Sequence, residues 1–128
     1  ATLAHPERVE LVGWTDDVAG FWQGCRCAVL PSHAEGFGLA AAEAAACGRP
    51  VVASRASSLP ELVRHEQTGI LVEPDAPGAL AAALGRLLRD GELSRTLGRA
   101  GRADTTTRFA RERTLDHLQA LTCPEVSR

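Results

Sequence analysis

Two glutamates flank a glycine-rich turn in the stretch PSHAEGFGLAAAEAAACGRPVVAS, residues 31–54. Glu35 precedes the G-F-G turn, and Glu43 lies in the alanine-rich segment after it, with seven residues between the two. Glycines let an anion come close to the backbone, and carboxylates accept hydrogen bonds from sugar hydroxyls. These residue types suit a ligand that carries both phosphate and sugar, provided that both acids face one cleft.

The segment after the turn contains helix formers throughout, which predicts a helix that begins near Gly38. The first amides of such a helix lie at the positive end of its dipole and can receive phosphate oxygens; here they belong to Phe37, Gly38 and Leu39. Glu43 lies five residues beyond Gly38, about 7.5 Å along the helix axis, a reasonable distance from a phosphate to ribose hydroxyls. Glu35, on the other side of the turn, can meet the sugar. One site would then hold both ends of a nucleotide-sugar.

A simpler interpretation of this stretch stays open. A G-F-G turn that opens a helix is by itself more often only a tight connection, and two glutamates at this spacing are more often solvated surface. Glu43 weakens that interpretation because it is the only charged residue in GLAAAEAAAC. A helix with alanine on nearly every side is expected to be buried on both faces, where an unpaired carboxylate is costly unless it meets a ligand or a cleft.

Short apolar segments alternate with helical patterns along the chain, which predicts an α/β fold. The predicted strands are 8–13, 27–31, 50–54 and 69–73. Continuous apolar strands of this kind form a parallel sheet, here of about four strands, with helices on both faces. In such sheets ligands bind outside the carboxyl ends of the strands, where the strand-to-helix loops collect.

The predicted helices have recognisable starts and ends. The segment TDDVAGFWQG has acids in the first turn of a predicted helix, and Gly48 predicts the end of the alanine-rich helix. Ser58 and Glu61 have the spacing of a capping box for a short helix. Asp75 is predicted to cap a longer helix with Pro77 in its first turn. Periodic apolar residues support the later helices: Leu80, Leu84, Leu87 and Leu88; Leu93, Leu97 and Ala100; and Leu115, Leu118 and Leu121.

The composition argues against several classes of protein. With 14 arginines, no lysine and 16 acids, the formal net charge is −2, which gives no strong attraction to nucleic acid or anionic membranes. No pair among the four cysteines has the spacing of a zinc site, so we expect no metal. Cys27 and Cys47 fit small buried residues in a reducing compartment, which favours a cytoplasmic protein. The absence of Lys, Asn, Met and Tyr is typical of a GC-rich bacterial genome.

The pattern P-S-x-x-E-G-F-G-L-x-x-x-E-A-x-A-x-G-x-P-V-V-A-S, followed by P-E-L-V and T-G-x-L-V-x-P, resembles the nucleotide-sugar-binding domain of retaining GT-B glycosyltransferases of family four. The resemblance runs from Val9 to about Leu121. It implies that residues 1–128 are a partial donor-binding domain with a Rossmann-like sheet, the later part of a GT-B C-terminal domain. The N-terminal acceptor domain of that family is absent from the chain.

The resemblance also implies roles for single residues. Glu35 and Glu43 match the E-x7-E motif of the family. Glu35 is then placed near the donor sugar as a catalytic or sugar-positioning acid, and Glu43 binds the ribose. The diphosphate is held by the matching amides, which are those of Phe37, Gly38 and Leu39.

Two other residues have competing interpretations. Asp17 follows the first predicted strand, where the family contacts the base of the nucleotide, but an acid there also fits the start of a helix. His33 lies in the same loop as Glu35 and is interpreted as an exposed loop histidine rather than a substrate ligand.

The family's basic pair, an Arg and a Lys that neutralise the donor diphosphate, has no match in this sequence. We therefore expect the parent protein to be a hexosyltransferase-type enzyme and the isolated chain to be inactive. No metal or cofactor is implied besides the nucleotide-sugar substrate, and the expected partner is the missing acceptor domain. The alternative is a stand-alone or degenerate module that binds nucleotide-sugars or another protein without catalysis. The donor base, the sugar and the acceptor stay open.

Overall fold

The computed structural model describes residues 2–34, 36 and 38–109. Three parallel strands form its sheet, in the order β1-β2-β3. Their bounds are Ala28–Leu30 for β1, Val51–Ser54 for β2 and Gly69–Val72 for β3. The register pairs Leu30 with Ala53 and Ser54 with Val72. The carboxyl ends of all three strands therefore lie along one edge of the sheet.

Five α-helices accompany the strands within the described residues. They are α1 (Val18–Gln23), α2 (Leu39–Ala46), α3 (Leu59–Leu62), α4 (Pro77–Arg89) and α5 (Gly91–Phe109), preceded by a single 3-10 turn, Pro6–Arg8. The helices that were predicted after the turn at Gly38 and from Glu92 are confirmed as α2 and α5. The helix predicted around Leu115 lies outside the described residues. No described helix is long and apolar enough to cross a membrane.

Each face of the sheet has its own core. On one face, alternate residues of β1 and β2 pack against α2 and α3, and this core includes Ala28, Leu30, Val51, Ala53, Leu59 and Leu62. On the other face, Val52 and Ile70 pack against α4 and α5, through Ala83, Leu87 and Leu97. The predicted α/β class, a Rossmann-like parallel sheet with helices on both faces, is confirmed.

The predicted strand at residues 8–13 is wrong: three strands, not about four, occur in the described part of the chain. A strand needs hydrogen bonds to a neighbouring strand, and no described strand pairs with this segment. Its apolar side chains also lack a core, since Leu11 is 94% and Trp14 is 85% exposed. The β-forming composition of the segment is therefore not enough to make a strand here.

The start of α3 differs from its prediction. Ser58 stands at the cap position, but its side chain makes no capping hydrogen bond, so the capping box with Glu61 is not formed. The hydroxyl of Ser58 donates instead to the carbonyl oxygen of Gly36, 22 residues earlier. A tertiary contact has replaced the local one.

The start of α4 also differs. Its cap residue is Ala76, not Asp75, because the residue before a proline is pushed out of the helical region and Ala76 precedes Pro77. Asp75 adopts a left-handed conformation with φ 57° instead. On the same helix Leu87 is buried as predicted, whereas Leu88 is 48% exposed and does not belong to the apolar stripe.

Candidate functional site

The loop between β1 and α2, of which the structure describes residues 31–34, 36 and 38, follows β1 at the carboxyl edge of the sheet and ends at Gly38. Gly38 caps α2 with φ 76°, a conformation that favours glycine. A Cβ at this position would lie 3.0 Å from Cδ2 of Leu59 and 3.5 Å from Cδ2 of Leu62. Gly38 thus both turns the chain and lets it pack against α3.

The first turn of α2 leaves its amides available. No side chain of the described residues caps the helix, and the amide of Ala42 donates a hydrogen bond to the carbonyl oxygen of Gly38 at 3.1 Å. The amide of Leu39 precedes this bond and lies at the positive end of the helix dipole. An anion can therefore be held at this end of α2 by backbone groups alone.

Glu43 lies about one turn further along α2 and is half-buried. Its neighbours Ala42 and Ala44 are fully buried, as the alanine-rich sequence predicts. Of the residues that the structure describes, none forms an ion pair with the Glu43 carboxylate or donates a hydrogen bond to it. Partial burial of a charge without a partner costs free energy, which is typical of a group that meets a ligand.

The remaining predicted site residues have different outcomes. Glu35 and Phe37 lie outside the described residues, and their roles stay predictions. Asp17 lies at the cap of α1 rather than in its first turn, and its Oδ1 accepts a hydrogen bond from the amide of Gly20 at 3.0 Å. The role of Asp17 at the start of a helix is thus observed, while its contact with a base stays a prediction.

Two contacts join the β1–α2 loop to the loops that follow the other two strands. After β2, Ser58 donates its hydroxyl to the carbonyl oxygen of Gly36. After β3, Oδ1 of Asp75 lies 3.1 Å from Nε2 of His33. His33 is exposed, as predicted: its side chain is 68% accessible to solvent. Ser58 and Asp75 were predicted to cap helices, and neither of the two contacts was predicted.

A cleft of about 220 Å³ opens beside this loop. Its residues come from the carboxyl ends of all three strands and from the start of α4. They are Pro31, His33, Ser54, Val72, Glu73, Asp75, Ala76, Pro77 and Leu80. Arg55 lies next to the cleft and pairs with Glu73 at 3.2 Å. The cleft thus combines an apolar wall with hydroxyl, imidazole and carboxylate groups at the edge where α/β proteins bind ligands.

The sequence model of the family "glycosyl transferases group 1" matches residues 1–90 of the chain. A D-inositol 3-phosphate glycosyltransferase of Segniliparus rotundus is 42% identical over 103 residues, which cover 80% of this chain and 23% of the relative.

Two solved structures are also similar. Sucrose-phosphate synthase from Thermosynechococcus elongatus has a TM-score of 0.77 and 38% identity, over 89% of this chain and 30% of the other. Anabaena HepE, solved in complex with UDP-glucose, has a TM-score of 0.78 and 30% identity, over 89% of this chain and 31% of the other. The chain thus spans less than a third of the length of each of these proteins.

Proposed function

The chain belongs to the group 1 glycosyltransferases, and we propose that it is the part of such an enzyme that binds the nucleotide-sugar donor. The parent protein transfers a hexose-type sugar from a nucleoside diphosphate to an acceptor, with retention of configuration. The observation that carries the proposal is Glu43, a half-buried carboxylate without a described partner on a helix whose first turn is uncapped. The UDP-glucose bound to Anabaena HepE supports the same ligand class.

The proposed site divides the donor along α2. Its first amides, among them that of Leu39, receive the diphosphate, because they are unpaired within the helix and lie at its positive end. Glu43 accepts hydrogen bonds from the two ribose hydroxyls about one turn further along. Glu35 acts near the donor sugar, as the resemblance to the family implies.

The catalytic contribution of this part is electrostatic. Negative charge develops on the diphosphate as the bond to the sugar breaks, and fixed amides and the helix dipole stabilise it. The family's Arg and Lys pair, which neutralises the donor diphosphate, has no match in these 128 residues. We therefore expect the isolated chain to bind a nucleoside diphosphate weakly and to transfer no sugar.

The test is an NMR titration of the 128-residue chain with UDP, GDP and ADP. We expect weak binding of one of the three, with chemical-shift changes from Leu39 to Glu43, and loss of that binding in Glu43→Ala. The matched control is Glu92→Ala, which removes an exposed carboxylate from the first turn of α5 and should bind like the wild type. Unchanged binding in Glu43→Ala would show that the ribose assignment is wrong.

A further inference from the structure

We propose that Ser58 and the His33–Asp75 pair are positioning residues that hold the β1–α2 loop in the shape that receives the donor diphosphate. This inference rests on the proposed function and adds to it the residues that fix the geometry of its phosphate site. Both contacts reach the loop from neighbouring strand-to-helix loops, at points before the first residue of α2. None of these three side chains contacts the donor in this proposal; each acts through the backbone that does.

The contact with Ser58 fixes the loop immediately before α2. Its hydroxyl holds the carbonyl oxygen of Gly36, and the next residue, Leu59, packs on Gly38, where a Cβ would lie 3.0 Å from Cδ2 of the leucine. The segment after β2 therefore contacts the glycine-rich turn at Gly36 and at Gly38. Leu59 is fully buried in the core between the sheet and α2, so the contact with Gly38 is part of that core.

The contact with Asp75 fixes the loop near its other end. His33 Nε2 lies 3.1 Å from Oδ1 of Asp75, although the two side chains are 68% and 78% exposed. Asp75 has φ 57°, a left-handed conformation that aspartate tolerates better than most residues. Pro77 begins α4 two residues later, so Asp75 projects from a stiff segment.

The physical reason for two contacts is the glycine content of the loop. Glycines allow the phosphate to approach the backbone, but they also give the free loop many conformations, and binding must then order them at a cost in entropy. A loop that is already held in its binding conformation avoids that cost, which is the usual effect of preorganisation on affinity. Ser58 and Asp75 supply this restraint from outside the loop.

The experiment compares the wild-type chain with Ser58→Ala and Asp75→Asn in the NMR titration with UDP, GDP and ADP. Ser58→Ala removes one uncharged hydrogen bond that restrains the loop, so it should weaken binding of the preferred nucleotide about threefold to tenfold. Asp75→Asn should weaken it about twofold to threefold because the pair is exposed. Ser58→Thr keeps the hydroxyl and should restore binding to within twofold of the wild type.

The controls separate positioning from stability. The hydroxyl of Ser94 donates a hydrogen bond to the carbonyl oxygen of Leu87 at 2.6 Å, the same kind of bond as that of Ser58. This bond lies at the opposite edge of the sheet, because Arg26, just before β1, donates to the carbonyl oxygen of the next residue, Leu88. Ser94→Ala should therefore lower stability without changing nucleotide affinity. In the absence of nucleotide, the NMR order parameter of the Gly36 amide should fall in Ser58→Ala and stay unchanged in Ser94→Ala.

The outcomes distinguish this inference from the proposed function. If the wild type binds, Glu43→Ala does not, and Ser58→Ala and Asp75→Asn bind like the wild type, the inference is overturned and the proposed function stands. Equal losses of affinity in Ser58→Ala and Ser94→Ala would overturn it as well, because the effect would then be one of global stability. If the wild type binds none of the three nucleotides, the proposed function fails and the inference fails with it.

Discussion

Gly98 in α5 lies directly against the carbonyl oxygen of Gly48, just after the end of α2, so that a Cβ on Gly98 would overlap that oxygen. The same Cβ would also lie 3.5 Å from Cδ of Pro50. Gly101, about one turn later, faces the carbonyl oxygen of Thr68, where a Cβ would lie at 3.1 Å. The glycines that weaken α5 as an isolated helix are therefore the residues that let it pack closely on the backbone after α2 and before β3.

The first prediction concerns two glycines in helices. Gly98→Ala should lower the free energy of unfolding by about 2 kcal/mol or more, because the overlap with backbone must be relieved by moving α5. Gly85→Ala in α4 should raise it by about 0.5–1 kcal/mol, since a Cβ there meets only the mobile guanidinium of Arg89 and alanine is the better helix former. Urea denaturation of both variants measures the difference. A Gly98→Ala variant as stable as the wild type, or more stable, would contradict the close approach of α5 to Gly48.

The second prediction concerns the pH dependence of stability. Arg86 donates two hydrogen bonds to the carboxylate of Glu66, at 2.5 and 3.0 Å, and these bonds lower the pKa of Glu66 below its ordinary value. A lowered folded-state pKa means that the contribution to stability is complete above the unfolded-state pKa of about 4.3 and is lost as the pH falls through the folded-state pKa. The free energy of unfolding of Glu66→Gln should therefore be lower than that of the wild type at pH 7, and this stability gap should close as the pH falls below about 4.

Urea denaturation at pH 7, 5 and 3.5 measures that gap. Because the pair is largely exposed, the gap should also shrink in 1 M salt. Glu10→Gln serves as a control for the general loss of one carboxylate charge, because Glu10 is exposed and lies in the segment before α1. A gap for Glu66→Gln that stays constant from pH 7 to 3.5 would contradict the role of the ion pair.

The third prediction concerns the thiols. Burial, and to a smaller extent the neighbouring Cys25, raises the pKa of Cys27, while Arg26 acts in the opposite direction. Only the thiolate reacts with alkylating agents, so at pH 8 Cys27 should react with iodoacetamide more slowly than an ordinary thiol, and its rate should keep rising above pH 9. Cys47 is fully buried and should react only when the chain unfolds. Mass spectrometry in a Cys123→Ser background gives the separate rates, and rapid labelling of Cys27 at pH 7 would contradict the expectation.

The elements that the sequence predicted well are those with local signals. The helix α2 follows from an unbroken run of helix formers, and Gly48 ends it with φ 76° as a glycine after a helix should. The three strands follow from short apolar runs, and side chains on both faces of the sheet they form are buried in a core. The segment 8–13 has the same composition, but pairing is not a local property, and nothing in its own residues reveals whether a neighbour exists.

The candidate site was predictable in part for the same reason. The available amides at the start of α2 and the half-buried Glu43 follow from residues close together in the chain, and the match to the family pattern added the role of each. The contacts of Ser58 and Asp75 join residues 22 and 42 positions apart. The spacing of Ser58 and Glu61 favours a helix cap. A prediction from spacing therefore chooses the cap over a hydrogen bond to a distant residue, which leaves no local sign. The proline after Ala76 was the one local sign that Asp75 does not cap α4.

The last prediction concerns the stability of Glu43→Ala. A carboxylate that is half-buried without a described partner opposes folding, and alanine is the better helix former, so the variant should be more stable than the wild type by about 0.5–1 kcal/mol. Its nucleotide binding should be lost, so stability and binding change in opposite directions, as is typical of a group kept for function. Glu92→Ala should do the reverse: Glu92 lies in the first turn of α5, where a negative charge is favourable, so stability should fall by about 0.3–1 kcal/mol while binding is kept. Urea denaturation and the nucleotide titration, made on the same samples, measure both quantities, and a Glu43→Ala variant less stable than the wild type would mean that its carboxylate has a structural role.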